Sequence, residues 1–377
     1  MAGELRPANA PVKGVREPHR VAIVQDWGVG VPPIHDQYDA TQLAFEEATA
    51  SGLLDRPVEL QVVECEGLPF KRLTSLQRAL REVVEDWDPI AIIGPHQTEN
   101  VLALRPQIDT WGIPHIAQSG TMAAAGPWTF LTQNGTFPDE ARIMVDWLVD
   151  SAGCARIGLI AEDNLLGVEL SEDVRSQARR RGVEITASST VGSFISEADA
   201  RASIGAVAEA KVDGYCYVGF GATAFQILAA SKQAAADGFD VPRITMSIFM
   251  GSIPGLGYGL TPEHYEGWTG VDQYDERNET FMAMLDRFAA RYDGRRPMHC
   301  YTAQGYDMGN VVAHGLSTAK PMSRDGLRLG LEKVRRLPAA AASPGTVISY
   351  GPYDHRGYKG DYITLRRVRD GINEVAL

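Results

Sequence analysis

Short apolar runs alternating with stretches of helical periodicity recur along this chain, and no other feature restricts its architecture as much. Val21-Ala22-Ile23-Val24 reads as a first strand. A helix over 39–50 follows, closed by Gly52, whose missing side chain suits a left-handed C-terminal residue. Val58, Leu60 and Val62 alternate as a strand requires. Leu73, Leu76, Leu80, Val83 and Val84 recur at three- and four-residue steps, which puts them on one helical face. Ala91-Ile92-Ile93-Gly94 predicts a buried strand, Val101, Leu104, Ile108 and Trp111 line a helix up to Gly112, and His115-Ile116-Ala117 is a fourth strand.

After Phe130 the series restarts. Helices are predicted over 139–149, 168–178, 198–210 and 224–235, and strands over 157–160, 183–187, 215–218 and 243–246. Two successive β-α-β-α series predict an α/β fold with two parallel sheets and helices on both faces, because parallel strands need crossover connections. A length of 377 residues, at roughly 150 per domain, agrees with two domains or three. The tail differs, with helices over 281–292, 306–316 and 327–334 and strand-like pieces at 347–350 and 362–368.

Composition narrows the function. Lys plus Arg is 36 and Asp plus Glu is 48, so 36 − 48 leaves −12, the wrong sign for a nucleic-acid partner. No segment approaches the roughly 20 apolar residues that cross a bilayer. Residues 1–19 read as a flexible arm, with charges, three prolines and no apolar stretch, unlike a signal peptide or lipoprotein leader. Either the protein is cytoplasmic, or a leader has been removed and it is extracytoplasmic; the sequence leaves both open.

Enzyme signatures are missing. There is no GxxxxGK[ST], HExxH or GxSxG. Gly219-Phe220-Gly221, after a strand, has Ala224 where a dinucleotide fingerprint prefers its third glycine, so it is a weak cofactor signal. The eight histidines are scattered. Cys65, Cys154, Cys216 and Cys300 form no CxxC pair, which argues against zinc or redox chemistry, and Cys154 and Cys216 read as small buried hydrophobes. No cofactor, metal or catalytic residue is expected. Asp26, ending the first strand, reads as a loop cap in preference to a catalytic acid.

Val21-Ala22-Ile23-Val24, Ile92-Ile93-Gly94-Pro95, Gly112-Ile113-Pro114-His115-Ile116 and Ser119-Gly120-Thr121, in that order, resemble the type I periplasmic binding proteins. Within them the chain is most similar to the leucine/isoleucine/valine-binding and amide-sensing group of ABC-transporter solute receptors. Gly305-Tyr306-Asp307, Gly351-Pro352-Tyr353-Asp354 and Gly360-Asp361 extend the likeness to the tail.

The resemblance implies two Rossmann-like lobes that close over a small molecule about a three-segment hinge. Crossovers are expected near 132–136, 270–274 and 349–353, giving lobe one as 20–133 plus 273–348 and lobe two as 134–272 plus 349–377. It also implies ligand contacts from Thr98, Ser119 and Thr121, where hydroxyls and N–H groups at helix starts would hold a carboxylate. The same residues could simply cap helices.

In lobe two the family's pocket tyrosine matches Leu166, and its second aromatic matches Phe220. Relatives that bind α-amino acids place an acid after the last strand of that lobe. Ser247-Ile248-Phe249-Met250 has none there, which disfavours an ammonium group. Trp27, Leu166, Phe220 and Phe249 suit an apolar body, and Tyr274 is expected to reach the ligand or brace the hinge. The expected function is non-enzymatic capture of an aromatic or otherwise hydrophobic organic acid or amide for an ABC permease. A cytoplasmic ligand sensor acting on a partner protein, and a branched-chain amino-acid binding protein, are the alternatives.

Overall fold

The structure is a computed structural model that describes residues 17–26, 32–68, 72–132, 136–219, 222–247 and 260–376. It has two sheets of the same design. Strands β1 (His19–Gln25), β2 (Val58–Glu64), β3 (Ala91–Ile93), β4 (His115–Ala117) and β5 (Thr129–Leu131) form the first. Its order is β2-β1-β3-β4-β5, parallel throughout. Helices α1 (Pro32–Ala50), α2 (Leu73–Trp87) and α3 (Thr98–Trp111) make its crossovers.

The second series begins with α4 (Phe137–Asp146) and runs through β6 (Arg156–Glu162), α5 (Leu165–Arg181), β7 (Glu184–Val191), α6 (Glu197–Glu209), β8 (Gly214–Val218), α7 (Ala222–Ala236), β9 (Arg243–Thr245) and β10 (Thr269–Asp272). The order β7-β6-β8-β9-β10 repeats the first sheet's pattern, with parallel pairing. Helices α8 (Glu279–Arg291), α9 (Cys300–Thr318) and α10 (Arg324–Leu331) then return to the first sheet. The chain ends with a small antiparallel sheet of β11 (Leu337–Pro338), β12 (Val347–Ile348) and β13 (Tyr358–Lys359). Strands β14 (Thr364–Arg369) and β15 (Ile372–Val375) add to the second sheet antiparallel.

Strand alternation builds the cores. Val21 and Ile23 of β1 point into a cluster with α1, α8 and α9, while Ala22 and Val24 point into another with α2 and α3. Likewise Tyr215 and Tyr217 of β8 join one lobe-two cluster, and Cys216 and Val218 the opposite one. All four cysteines are unpaired thiols, and Cys154 and Cys216 are buried as expected.

Several expectations are corrected. Helix α1 starts at Pro32, seven residues before the apolar pattern announces it; prolines fit a first turn because its N–H groups have no helical partner. Strands β5 and β10 are three and four residues long, too short to show a period; the sequence predicts no strand at β5, and β10 overlaps the crossover expected near 270–274. The second sheet is not purely parallel, since β14 and β15 close it antiparallel. Gly305 and Gly309 have a packing role: a Cβ on Gly305 would meet the Gln37 carbonyl oxygen at 2.3 Å, and one on Gly309 the Thr41 carbonyl oxygen at 2.8 Å. That lets α9 lie tightly against α1. Asp307, next in the motif, accepts from the Ala340 and Ala341 amides at 2.7 and 2.9 Å and from the Tyr358 hydroxyl at 2.8 Å, which anchors the tail.

Candidate functional site

In an open parallel sheet, ligands bind beyond the carboxyl ends of the strands where the strand order reverses. Here those points lie after β1 and β3 in one lobe and after β6 and β8 in the other. At the first, Gly94 takes φ +78°, and a Cβ there would stand 2.4 Å from the Val24 carbonyl oxygen. Glycine alone lets the turn into α3 pass that close to β1.

Asp26 is fully buried at the end of β1. Its Oδ1 accepts from the His96 amide at 2.8 Å, and its Oδ2 from the Gln97 amide at 3.1 Å and from Asn100 Nδ2 at 2.7 Å. It therefore caps the start of α3 from a distant strand, as the sequence reading preferred. Beside it His96 Nε2 meets Gln37 Oε1, and Gln37 Nε2 donates to Gln118 Oε1 at 3.1 Å. The sequence reading missed this buried chain of amides, because Gln37 lies in a helix whose start carried no pattern.

Thr98, Ser119 and Thr121 come together. Thr98 Oγ1 and Ser119 Oγ are 3.4 Å apart, and all three residues are buried. Thr121 caps the short helical turn over 122–124, accepting from the Ala123 amide at 3.2 Å. It also reaches the other lobe, where its hydroxyl donates to Glu169 Oε1 on α5 at 2.8 Å.

On the lobe-two wall Glu162, which ends β6, is buried and accepts from the Tyr217 hydroxyl at 2.5 Å and from Asn164 Nδ2 at 2.7 Å. Burial, with the Glu162 charge beside it, pushes the Tyr217 hydroxyl well up, so it stays a donor. Gly219 makes room for the pair, since a Cβ there would sit 2.5 Å from Glu162 Oε1 and 2.6 Å from the Tyr217 oxygen. That accounts for the glycine without a dinucleotide: the strand end already holds a carboxylate, which would repel a phosphate. Gly167 similarly lets α5 start against β6, with a Cβ there only 2.0 Å from the Glu162 carbonyl oxygen. Leu166, in that first turn, is half-buried against the cluster of Phe137, Leu170 and Val218.

Ser247 follows β9 and carries no charge, but Glu140 of α4 reaches it, accepting from its amide at 3.3 Å and its hydroxyl at 3.5 Å. The strand end itself carries no acid, as the sequence reading has it, but Glu140 brings a carboxyl to Ser247 from α4. Burial pushes the Glu140 carboxyl up to about 8, so it is largely protonated at neutral pH. Glu140, Glu162 and Glu169 were all missed. Only Glu162 carried a readable signal, its place at a strand end.

Tyr274 follows β10, with its ring 4.1 Å under the Arg366 guanidinium of β14 and edge-on to Phe281. Arg366 is buried and forks onto Glu276 Oε1 and Oε2 at 2.6 and 2.7 Å. Behind Ser119 lies a cavity of about 130 Å³ that Thr136, Arg356, Lys359 and Tyr362 also line. Trp27, Phe220 and Phe249 lie outside the described residues, as do Ile248 and Met250. Among the described residues no group of three or more His, Cys, Asp or Glu side chains could hold a metal ion, and no helix is long and apolar enough to cross a membrane.

A family model described as periplasmic binding protein matches residues 35–371. Solved structures share the fold at low identity. A leucine binding protein, LivK, from Thermotoga maritima is 16% identical, with 95% of this chain and 98% of that one covered and a TM-score of 0.75. The branched-chain amino acid transporter substrate binding protein LivJ from Streptococcus pneumoniae, in complex with isoleucine, is also 16% identical, with 96% and 99% covered and a TM-score of 0.75. An ABC transporter substrate-binding protein from Desulfitobacterium hafniense, in complex with Leu, is 18% identical, with 96% and 100% covered and a TM-score of 0.75. No curated protein matches.

Proposed function

The chain belongs to the periplasmic binding protein family, and on that premise we propose that it is the solute-binding component of an ABC transporter. It captures a small organic acid or amide with an aromatic or otherwise apolar body and hands it to a permease without altering it. The observation that carries this reading is the pair of matching switch points, bridged across the cleft by Thr121 and Glu169. Two half-sites that meet only on closure let a ligand favour the closed state by touching both. Thr98 and Ser119 are the polar end of the proposed site. Leu166, Trp27, Phe220 and Phe249 are its proposed apolar contacts, and Tyr274 braces the hinge in this reading.

The lobe limits belong to the same proposal. Ile348, Tyr350 and Tyr358 pack with the lobe-one core, while Thr364 opens a lobe-two strand. We therefore draw the third crossover at 360–363 instead of 349–353.

A second reading, branched-chain amino acids, has support from the leucine and isoleucine complexes of the similar structures. Thermal shift against aromatic acids, aromatic amides and aliphatic amino acids separates the two. Saturation at a hundredfold excess over Kd adds about 2.7 kcal/mol of stability, several degrees in a melt. Aromatic compounds are expected to give that rise; a rise with leucine or valine alone removes the apolar-ligand reading.

A further inference from the structure

We infer that the cleft selects the uncharged member of its ligand class, an amide over the matching carboxylate, and that Glu169 is the residue that decides it. The inference rests on the reading above that the cleft takes a small acid or amide, and it names which of the two.

Several of the donors that a ligand carboxylate would use at the lobe-one corner are already held by the protein's own carboxylates. Asp26 takes the His96 and Gln97 amides with one oxygen each, and Asn100 as well. The Thr121 hydroxyl has a single proton, and it goes to Glu169 Oε1 at 2.8 Å. Of the three hydroxyls, Thr98 and Ser119 are left, 3.4 Å from each other.

A ligand carboxylate would enter with its charge next to Asp26 and Glu169, where like charges oppose the ionised form. Among the described residues that line the cavity behind Ser119, the two cations, Arg356 and Lys359, are already bonded to Asp354 at 3.0 and 2.9 Å. An amide meets none of this resistance. Its carbonyl accepts from Thr98 or Ser119, and its N–H groups donate to the Glu169 carboxylate, which has lone pairs to spare beyond the Thr121 bond. Glu169 thus repels an acid and rewards an amide, and only tertiary structure brings it from α5 to Thr121.

The test is calorimetric titration of matched pairs, phenylacetate with phenylacetamide, benzoate with benzamide, and 4-methylpentanoate with 4-methylpentanamide, into the wild-type chain and Glu169→Gln. The wild type is expected to bind the amide at least tenfold tighter than its acid, and Glu169→Gln to bring that ratio within about threefold. Preference for the acid in the wild type, or a ratio unmoved by Glu169→Gln, overturns the inference. Response confined to the 4-methylpentanoate pair removes the aromatic reading above, while the acid-to-amide ratio within that pair still decides this one.

A ligand-free readout covers the case in which no pair binds. Spin labels at the exposed positions Glu85→Cys and Glu172→Cys, one on each lobe, report the interlobe distance. Thr121→Val is expected to lengthen that distance. An unchanged distribution shows that Glu169 does not hold Thr121, and the inference falls.

Discussion

Asp26 shows how a single side chain can organise a ligand corner without touching a ligand. Its two oxygens satisfy two amides ahead of α3 and the side chain of Asn100, which in turn bonds the Leu68 backbone at both its amide and its carbonyl. Stranding a buried donor costs about 1–3 kcal/mol. Asp26→Ala is therefore expected to lower stability by about 3 kcal/mol in urea unfolding followed by circular dichroism. A change below about 1 kcal/mol would mean that water replaces the carboxylate. The sequence supported this role for Asp26 because a strand-end acid before a helix start has a local meaning. It gave no such lead for Glu140, since an acid in the first turn of a helix is ordinary, or for Glu169, whose partner is 48 residues away.

At the level of elements, β14 ties the end of the chain to the connection after β10. Arg366 reaches from β14 to Glu276, to the Asn373 carbonyl and side chain, and over the Tyr274 ring. Its neighbour Asp272 is buried 4.0 Å away, and burial pushes that carboxyl up to about 6 against the pull of the Arg366 charge. Removing one partner of a buried ion pair costs about 3–5 kcal/mol. Arg366→Met is expected to cost that much in chemical unfolding and to raise hydrogen exchange in β10 and β14 while leaving β1–β4 protected. Exchange that rises equally in both sheets would contradict a local tie.

At the scale of the whole molecule, buried acids set a pH dependence. Burial raises Glu140 from 4.5 to about 8 and Asp307 from 3.8 to about 7, so the folded protein keeps protons that the unfolded chain has released. Stability then falls as pH rises through these values. Below pH 6.5 buried His115, lowered to about 4, acts the other way, because the unfolded chain takes up a proton that the fold refuses. The clean window is pH 6.5 to 8. At about 1.4 kcal/mol per unit, Glu140 contributes a decline on the order of 2 kcal/mol across it. Melts at pH 6.5 and 8 are expected to show the decline and Glu140→Gln to flatten it; equal slopes in both proteins would exclude Glu140 as its source.

Periodicity is a property of consecutive residues. The sequence by itself therefore determined the long helices, the strands of four or more apolar residues, the doubling of the α/β series and the strand ends at which to look for a site. Thr98, Ser119 and Thr121 were legible because each follows a readable strand. What tertiary structure decided is which side chain answers which. Asp26 fills the start of α3, Glu162 takes Tyr217, Glu140 arrives at Ser247, and Glu169 crosses the cleft to Thr121. Those partners are joined through space by folded backbone rather than by spacing along the chain, and the free energy of a buried polar group depends on the partner it finds.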